Sequence, residues 1–496
     1  MRLRIIIVSM LIGILFLQCN APQRSNGDYN IKDFGAKGDS STLNTGTIQN
    51  AIDACHKNGG GRVVIPNGQF VTGSIMLKSN VELHLTKGAF LLGSILASDY
   101  PHRITCMKSF RPDGINRQQY FGLIMAEGAE NISITGKGTI DGRGAFGDDF
   151  RSYPTSADGS SWHKPQRPKI IMFYDCKHVK IQDIQTINPN NWAQHYKRCD
   201  FLSIEGVRVY SHGNANNDGI DLDECQDVTI SDIIIDADDD GLVFKSLGTR
   251  NSRNISVTNS IISSKITPIK VGTETGGGFQ NITISNCIIR PSSEKKVFDP
   301  HRRPLHGAGI ALEIVDGGIM DGVIISNCII ENSYAPFFLK LGNRGRKYGG
   351  EEPSPGQMRN IILDNIICRN VQNDFTSTIT GFPAHYIENL ILSNIRMELA
   401  GGTQMTQWNP MPENEKNYPW PGMFGSDLPY PAYGIYFRHV KNLTLFNVQT
   451  IFEQDDVRPA LHLENVKNAR IIQSEFQALK NPIVFKNTEN TYLHEK

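Results

Sequence analysis

The chain has 496 residues, and its 50 Lys+Arg balance its 50 Asp+Glu. Without net charge there is no global field to draw it to nucleic acid or to an anionic membrane surface, so any attraction for a charged ligand is local. Length alone would suit two or three domains, but a repeat architecture removes that expectation, and a composition rich in Gly, Asn, Ile and Val suits many short strands joined by tight turns.

Residues 1–19 read as a signal peptide. Arg2 and Arg4 supply a positive start, and the apolar run Ile5 to Leu17 is too short for a comfortable membrane span. Phe16-Leu17-Gln18-Cys19 resembles a bacterial lipoprotein signal, in which Cys19 is lipidated and becomes the mature N-terminus. This predicts an exported protein, periplasmic or anchored at the outer membrane, with any membrane contact made through that lipid. Residues 20–28 are polar and read as a tether, and 29–496 as a single catalytic domain. Later cysteines form no close C-x-x-C pair, which argues against a zinc site. Cys199, Cys225, Cys287 and Cys328 recur at similar places in successive repeats and are expected to stack in a core.

Thr47 to Cys55 has helical spacing of apolar residues and is stopped by Gly59-Gly60-Gly61. Val63 to Pro66 and Phe70 to Met76 read as strands. A helix before strands is expected to cap one end of a solenoid. From Asn131 onward a unit recurs: Asn131-Ile132-Ser133-Ile134, His178-Val179-Lys180-Ile181, Phe201-Leu202-Ser203-Ile204, Asp227-Val228-Thr229-Ile230, Asn254-Ile255-Ser256-Val257, and on to Asn468-Ala469-Arg470-Ile471. The tightest spacings are about 23 to 27 residues, with period-two alternation and a turn at Asn, Gly or Asp. One unit cannot bury its own apolar face, whereas stacked units can. The prediction is all-β, a parallel β-helix. A leucine-rich repeat would show a Leu ladder and regular helices, and neither is present. Insertions at 142–169, 290–305, 343–358 and 399–433, the last bearing Trp408 and Trp420, are expected to wall a binding groove.

The densest chemistry lies in Asn216-Asn217-Asp218-Gly219-Ile220-Asp221 and Asp238-Asp239-Asp240-Gly241, which flank the apolar strand pattern Val228 to Ile235. Carboxylates returned to one face by successive coils are what acid/base cleavage of a glycosidic bond requires. Calcium binding, or Asp capping of turns, is the bland alternative.

These residues resemble glycoside hydrolase family 28, the polygalacturonase and rhamnogalacturonan-hydrolase group. Asp33-Phe34-Gly35-Ala36-Lys37-Gly38-Asp39 is similar to the opening of pectin-active β-helix enzymes. Arg167-Pro168 leading to Phe173-Tyr174-Asp175-Cys176 resembles the stretch before the family's active-site coils. Asn216-Asn217-Asp218 matches the Asn-x-Asp motif, and Asp239-Asp240, which begins 21 residues beyond Asp218, matches the Asp pair. The resemblance implies a right-handed, single-stranded pectin-lyase-like solenoid and an inverting hydrolase. In it Asp240 protonates the leaving oxygen while Asp218 and Asp239 hold and deprotonate water. It implies no metal and no cofactor, since two acids and water suffice.

Other motifs depart from the family. The Asp pair is preceded by Asp238 rather than Gly and followed by Gly241 rather than Cys. The expected Gly-His-Gly is replaced by Lys265 to Glu274, with His306-Gly307 a coil later, and the Arg-x-Lys motif keeps only Lys340, with Arg344 behind it. Lys245 sits just after the acid pair, and Lys270 and Lys340 fall at corresponding points of later coils; all three are candidates to meet uronate groups, or else form a solvated ladder. Asn216, Glu274 and Glu313 are further candidates for sugar or lysine contacts. Trp192 is a stacking candidate and His195 a donor, and both could equally be structural; His385 is a weaker candidate. The substrate expected is a pectic poly- or oligosaccharide of galacturonate or rhamnogalacturonan type, cut from an end. A polysaccharide lyase using calcium on the aspartates and Lys270 as base, and a non-catalytic carbohydrate-binding β-helix, are the competing readings.

Overall fold

The computed structural model describes residues 27–102, 104, 121–144, 153–154, 162–163, 167–292, 307–348, 352–372, 375–408, 410–413, 415–425 and 428–494. The leader with Cys19, most of the tether and His306 lie outside these residues.

The described residues between 28 and 494 wind into a right-handed parallel β-helix. One coil runs from Ile220–Asp223 through Gln226–Ser231 and Ile234–Ala237, and the next begins at Leu242–Ser246. The first strand of every coil joins a 13-stranded sheet that extends from Ile75–Met76 to Ile483–Lys486. The other strands of each coil form a 23-stranded system. Inward positions such as Ile220, Leu222, Val228, Ile230 and Ile235 belong to one continuous core. This is the alternation that period-two patterning demands when one face is buried.

From Ser252 to Gln454 the second and third strands run together, as in Ser252–Ser264 and Gln357–Val371, and they separate again at Lys467–Ile472 and Glu475–Phe476. The expected turn is there a bend at an asparagine in the left-handed region, for instance Asn254 (φ 56°) and Asn259 (φ 54°). Asparagine tolerates that conformation better than other non-glycine residues, and its amide then bonds its stacked equivalents. Asn389 Nδ2 donates to Asn360 Oδ1 at 2.8 Å, Asn442 to Asn389 at 2.9 Å and Asn468 to Asn442 at 2.9 Å.

The N-terminal helix spans Thr45–Lys57 and lays Ile48, Ala51, Ile52 and Cys55 over the first coil. The predicted strand 70–76 is split into Gly68–Thr72 and Ile75–Met76, because Gly73 passes so close to Asp99 that a Cβ there would sit 1.9 Å from its carbonyl oxygen. Cys199, Cys225, Cys287 and Cys328 are buried free thiols, as the stacking pattern anticipated, and Cys176 is another.

A smaller apolar cluster lies outside the solenoid. Met411, Met423, Phe424 and Tyr430 cover Ala311, Phe338 and Tyr436 on the outer face of the 13-stranded sheet. The insertion after Gly401 is therefore a packed wall.

Candidate active site

The acids sit on two stacked loops at the entrance to the 13-stranded sheet. The backbone N–H of Gly219 donates to the Asp240 carbonyl at 2.9 Å, and that of Asp239 to the Asn217 carbonyl at 3.2 Å. Gly219 and Gly241 permit this approach: a Cβ on either would lie 2.5 Å from the carbonyl oxygen of the next coil, Gly241 and Pro268 respectively. Asp218 and Asp240 are buried and Asp239 is half-buried. Burial, then the charges of Asp221 and Asp239, push the Asp218 carboxyl well above the usual range. Burial also raises Asp240, partly offset by Lys270.

The loop around Asp218 is tied from behind. Buried Arg167 donates to the carbonyls of Asn190 (2.9 Å) and Ala215 and to Asn216 Oδ1 (3.0 Å). Asn216 in turn points its amide at Asp239 Oδ2, 3.4 Å away. Asn217 donates to the carbonyls of Pro189 and Asn191, both at 3.0 Å. The Asn-x-Asp motif thus serves as a bracket, one asparagine facing the neighbouring acid and the other anchoring the loop.

Outward positions of the sheet carry the remaining charges. His195, Asp221, Val243, Lys270, Ala311 and Phe338 occupy one file, and Lys197, Asp223 and Lys245 the next, so Lys245 and Lys270 do not fall at the corresponding points expected of them. Lys270 Nζ lies 2.8 Å from Asp240 Oδ2 and 3.4 Å from the Tyr418 hydroxyl, on the wall. Lys245 Nζ is 3.3 Å from Glu274 Oε2, 3.5 Å from Asp221 Oδ1 and 4.6 Å from the centroid of Trp192. Lys169 Nζ faces the same indole at 4.9 Å. Burial would lower the Lys245 and Lys270 values, but neighbouring carboxylates more than offset it, so both are ammonium groups. Despite burial, Lys245 and Arg344 bring Glu274 down to about 2. Burial raises Asp221 to about 7 and Glu313 to about 8, so Glu313 is largely protonated at neutral pH.

Several expectations need correction. His195 is fully buried beneath Trp192, its ring edge-on at 5.0 Å, with Nε2 3.4 Å from Asp223 Oδ2. Burial drives its pKa to about 3, so it is a neutral support with no face to offer a sugar. Lys340 is sealed under the wall, donating to the Glu413 carbonyl at 3.2 Å. Its strand is third along from Leu242–Ser246, about 14 Å away at strand spacing. Arg344 is engaged by Asp316, with Nε 2.9 Å from Oδ1, and by the Thr273 carbonyl at 2.9 Å, which holds the peptide before Glu274. His385 stacks on Phe382 in the turn after the sheet. Trp192, Asn216, Lys245, Lys270, Glu274 and Glu313 do gather around the acids.

Sequence reasoning placed Asp221 in the acidic stretch without giving it a role, and missed Lys169, Arg346 and Tyr418. Asp221 was within reach, because it is outward between Ile220 and Leu222 in a strand whose alternation was visible. Lys169 was not, because it opens Lys169–Tyr174, a strand buried along nearly its whole length with no alternation to count. Arg346 (3.4 Å from Glu274 Oε1) and Tyr418 lie on irregular segments with no periodic signal.

Residues 55–295 match the family model described as Glycosyl hydrolases family 28, a span holding Asp218, Asp239, Asp240, Lys270 and Glu274. The exo-poly-alpha-D-galacturonosidase of Dickeya chrysanthemi is 28% identical over 302 residues, covering 52% of this chain and 50% of the relative. A probable polygalacturonase of Vitis vinifera is 25% identical over 396 residues, covering 76% and 75%. The chain thus spans half the length of the first relative and three quarters of the second. Among solved structures, an exopolygalacturonase from Thermotoga maritima superposes with a TM-score of 0.61 at 23% identity, covering 76% of this chain and 88% of that one. The family 28 exopolygalacturonase of Yersinia enterocolitica gives 0.60 at 18% identity, covering 95% and 79%. The stacked Asn-x-Asp and Asp-Asp loops thus lie within a span, just under half of the chain, that matches glycosyl hydrolases family 28, a family of glycosidases, and the solved structures share the fold.

Proposed function

We propose that the protein hydrolyses pectic chains at a galacturonate unit, from the end of the chain and with inversion at the anomeric carbon. The observation that carries this reading is the in-register stacking of the two loops that bear Asp218, Asp239 and Asp240. Asp240 donates its proton to the leaving glycosidic oxygen. As the proton departs, Lys270 at 2.8 Å stabilises the carboxylate left behind, which makes Asp240 an effective acid although it is buried. Asp218 and Asp239 bind water and remove its proton as it attacks the opposite face of the sugar. Asn216 orients Asp239. Lys245, with Trp192 beside it, presents positive charge to a uronate carboxylate. The wall bearing Tyr418 closes one side of the groove, which supports action at a chain end. An ammonium Lys270 disfavours a lyase, in which that lysine would have to be neutral to take a proton.

The experiment is digestion of oligogalacturonides with product anomers followed by NMR. Monomer released first in the inverted anomer is expected, and retention or an unsaturated product would refute the scheme. Asp240→Asn should lower kcat by about 10²–10⁴-fold with KM little changed.

We also propose export and lipid anchoring through Cys19, supported by Arg2, Arg4 and the apolar run before Cys19. Radiolabelled palmitate should enter the wild-type chain in bacteria and not Cys19→Ala. Equal labelling of both would reject acylation at this residue.

A further inference from the structure

We propose that His212, Asp238 and Lys265 form an ionic brace along three consecutive coils that positions the acids, making His212 a positioning residue whose protonation the reaction requires. This rests on the acid roles given above.

Ser211, Ala237 and Ser264 stack as register partners, so the residues that follow them, His212, Asp238 and Lys265, occupy equivalent places where each coil leaves the third strand. His212 Nδ1 lies 3.0 Å from Asp238 Oδ1, and Lys265 Nζ lies 2.9 Å from the same oxygen. The other carboxylate oxygen of Asp238 accepts from the Gly213 N–H at 3.4 Å. His212 Nε2 reaches Asp236 Oδ1 at 3.1 Å, and the Tyr210 ring packs on the imidazole at 4.3 Å. All three brace residues are buried.

The neighbours of the brace hold the acids' own backbone. Ser211 Oγ donates to the Asp218 carbonyl at 2.8 Å, and Ser264 Oγ donates to the Asp239 carbonyl. Asp238 adjoins the Asp pair directly. The brace therefore locks the segments that fix Asp218 and Asp239 across coils, in place of the chain's own short turns. A carboxylate between two cations, with a second carboxylate behind the imidazole, has every charge offset by another. An uncharged His212 would leave Asp236 and Asp238 sharing Lys265 alone.

The sign of the pH dependence follows from this. Burial would lower the His212 pKa from 6.5, but the hydrogen bonds of Asp236 and Asp238 reverse that and hold it at about 9. The brace is complete at neutral pH and is lost as pH rises through about 9. Asp238 is held below the usual carboxylate range against its burial, chiefly by His212 and then Lys265, so the acid side leaves the brace intact until Asp238 itself protonates.

The experiment compares wild type with His212→Gln, Asp238→Gly, Lys265→Met and the conservative Lys265→Arg. Rates on oligogalacturonides are measured from pH 4 to 10, and the His212 ring is titrated by NMR. In the three disruptive variants kcat should fall about tenfold or more with KM within about twofold, as expected of misplaced rather than missing reacting groups. Lys265→Arg should keep most of the activity. The His212 ring in wild type should titrate well above 6.5, and Asp238→Gly should bring it down. Wild-type kcat in both His212→Gln and Asp238→Gly would overturn the brace, and so would a His212 ring that titrates at its ordinary value. The NMR arm stands whether or not galacturonate is the substrate. If wild type releases no sugar while the ring titrates high and responds to Asp238→Gly, the functional reading fails and the brace survives.

Discussion

Lys270 is the side chain on which the electrostatics of the groove turn. It is outward in Ile269–Thr275, one strand beyond Leu242–Ser246, and its ammonium touches the residue proposed as acid. Removing it should raise the Asp240 pKa. For a reaction that needs Asp240 protonated, Lys270→Met should move the alkaline limb of kcat/KM to higher pH while lowering plateau kcat. A pH–rate series on both proteins checks this, and an unmoved limb would separate Lys270 from the acid. Lys270 was legible in the sequence because period two makes outward positions countable. Lys340 was equally countable and misread, since alternation says which way a residue points but not what covers it. Its cover, Glu413 and Phe424, lies over 70 residues later. His195 was misjudged for a related reason: outward from the strand became buried beneath Trp192.

At the scale of the element, the left-handed asparagines carry the coil geometry. Each unit was legible from its alternation and its Asn, but the turn expected there became a bend inside a continuous strand between Ser252 and Gln454, because asparagine turns the backbone without ending the pairing. Asn389 shows what such a position contributes. It is exposed, holds φ at 57°, donates to Asn360 and accepts from Asn442. Asn389→Ala loses both amide contacts and forces a Cβ-bearing residue without local compensation into that conformation. It should cost about 1–3 kcal/mol of stability in urea unfolding, with kcat unchanged. A variant as stable as wild type would show the ladder to be ornamental there. The helix Thr45–Lys57 was likewise legible, its four apolar contacts falling on one face. The break at Gly73 was not, since the Asp99 carbonyl that imposes it comes from a distant loop.

At the scale of the molecule, repetition decided the architecture against the expectation from length, and one core runs through all the coils. The loops that distinguish this protein from a bare solenoid had no such signal. The stretch 399–433 was foreseen as a wall from its polarity and its Gly and Pro content, but not its packing on Phe338 and Tyr436 nor its reach to Lys270. That reach joins residues 148 apart in sequence. A stack held only by nearest neighbours can fray at its rear while its front stays whole. Here the segment bearing Tyr418 is latched to Arg438 and Lys340 at the rear and, through Tyr418, roofs Lys270, the partner of Asp240, at the front. Loosening the last coils, by heat or by a protease cut, would lift that roof and silence chemistry performed by residues the damage never touched.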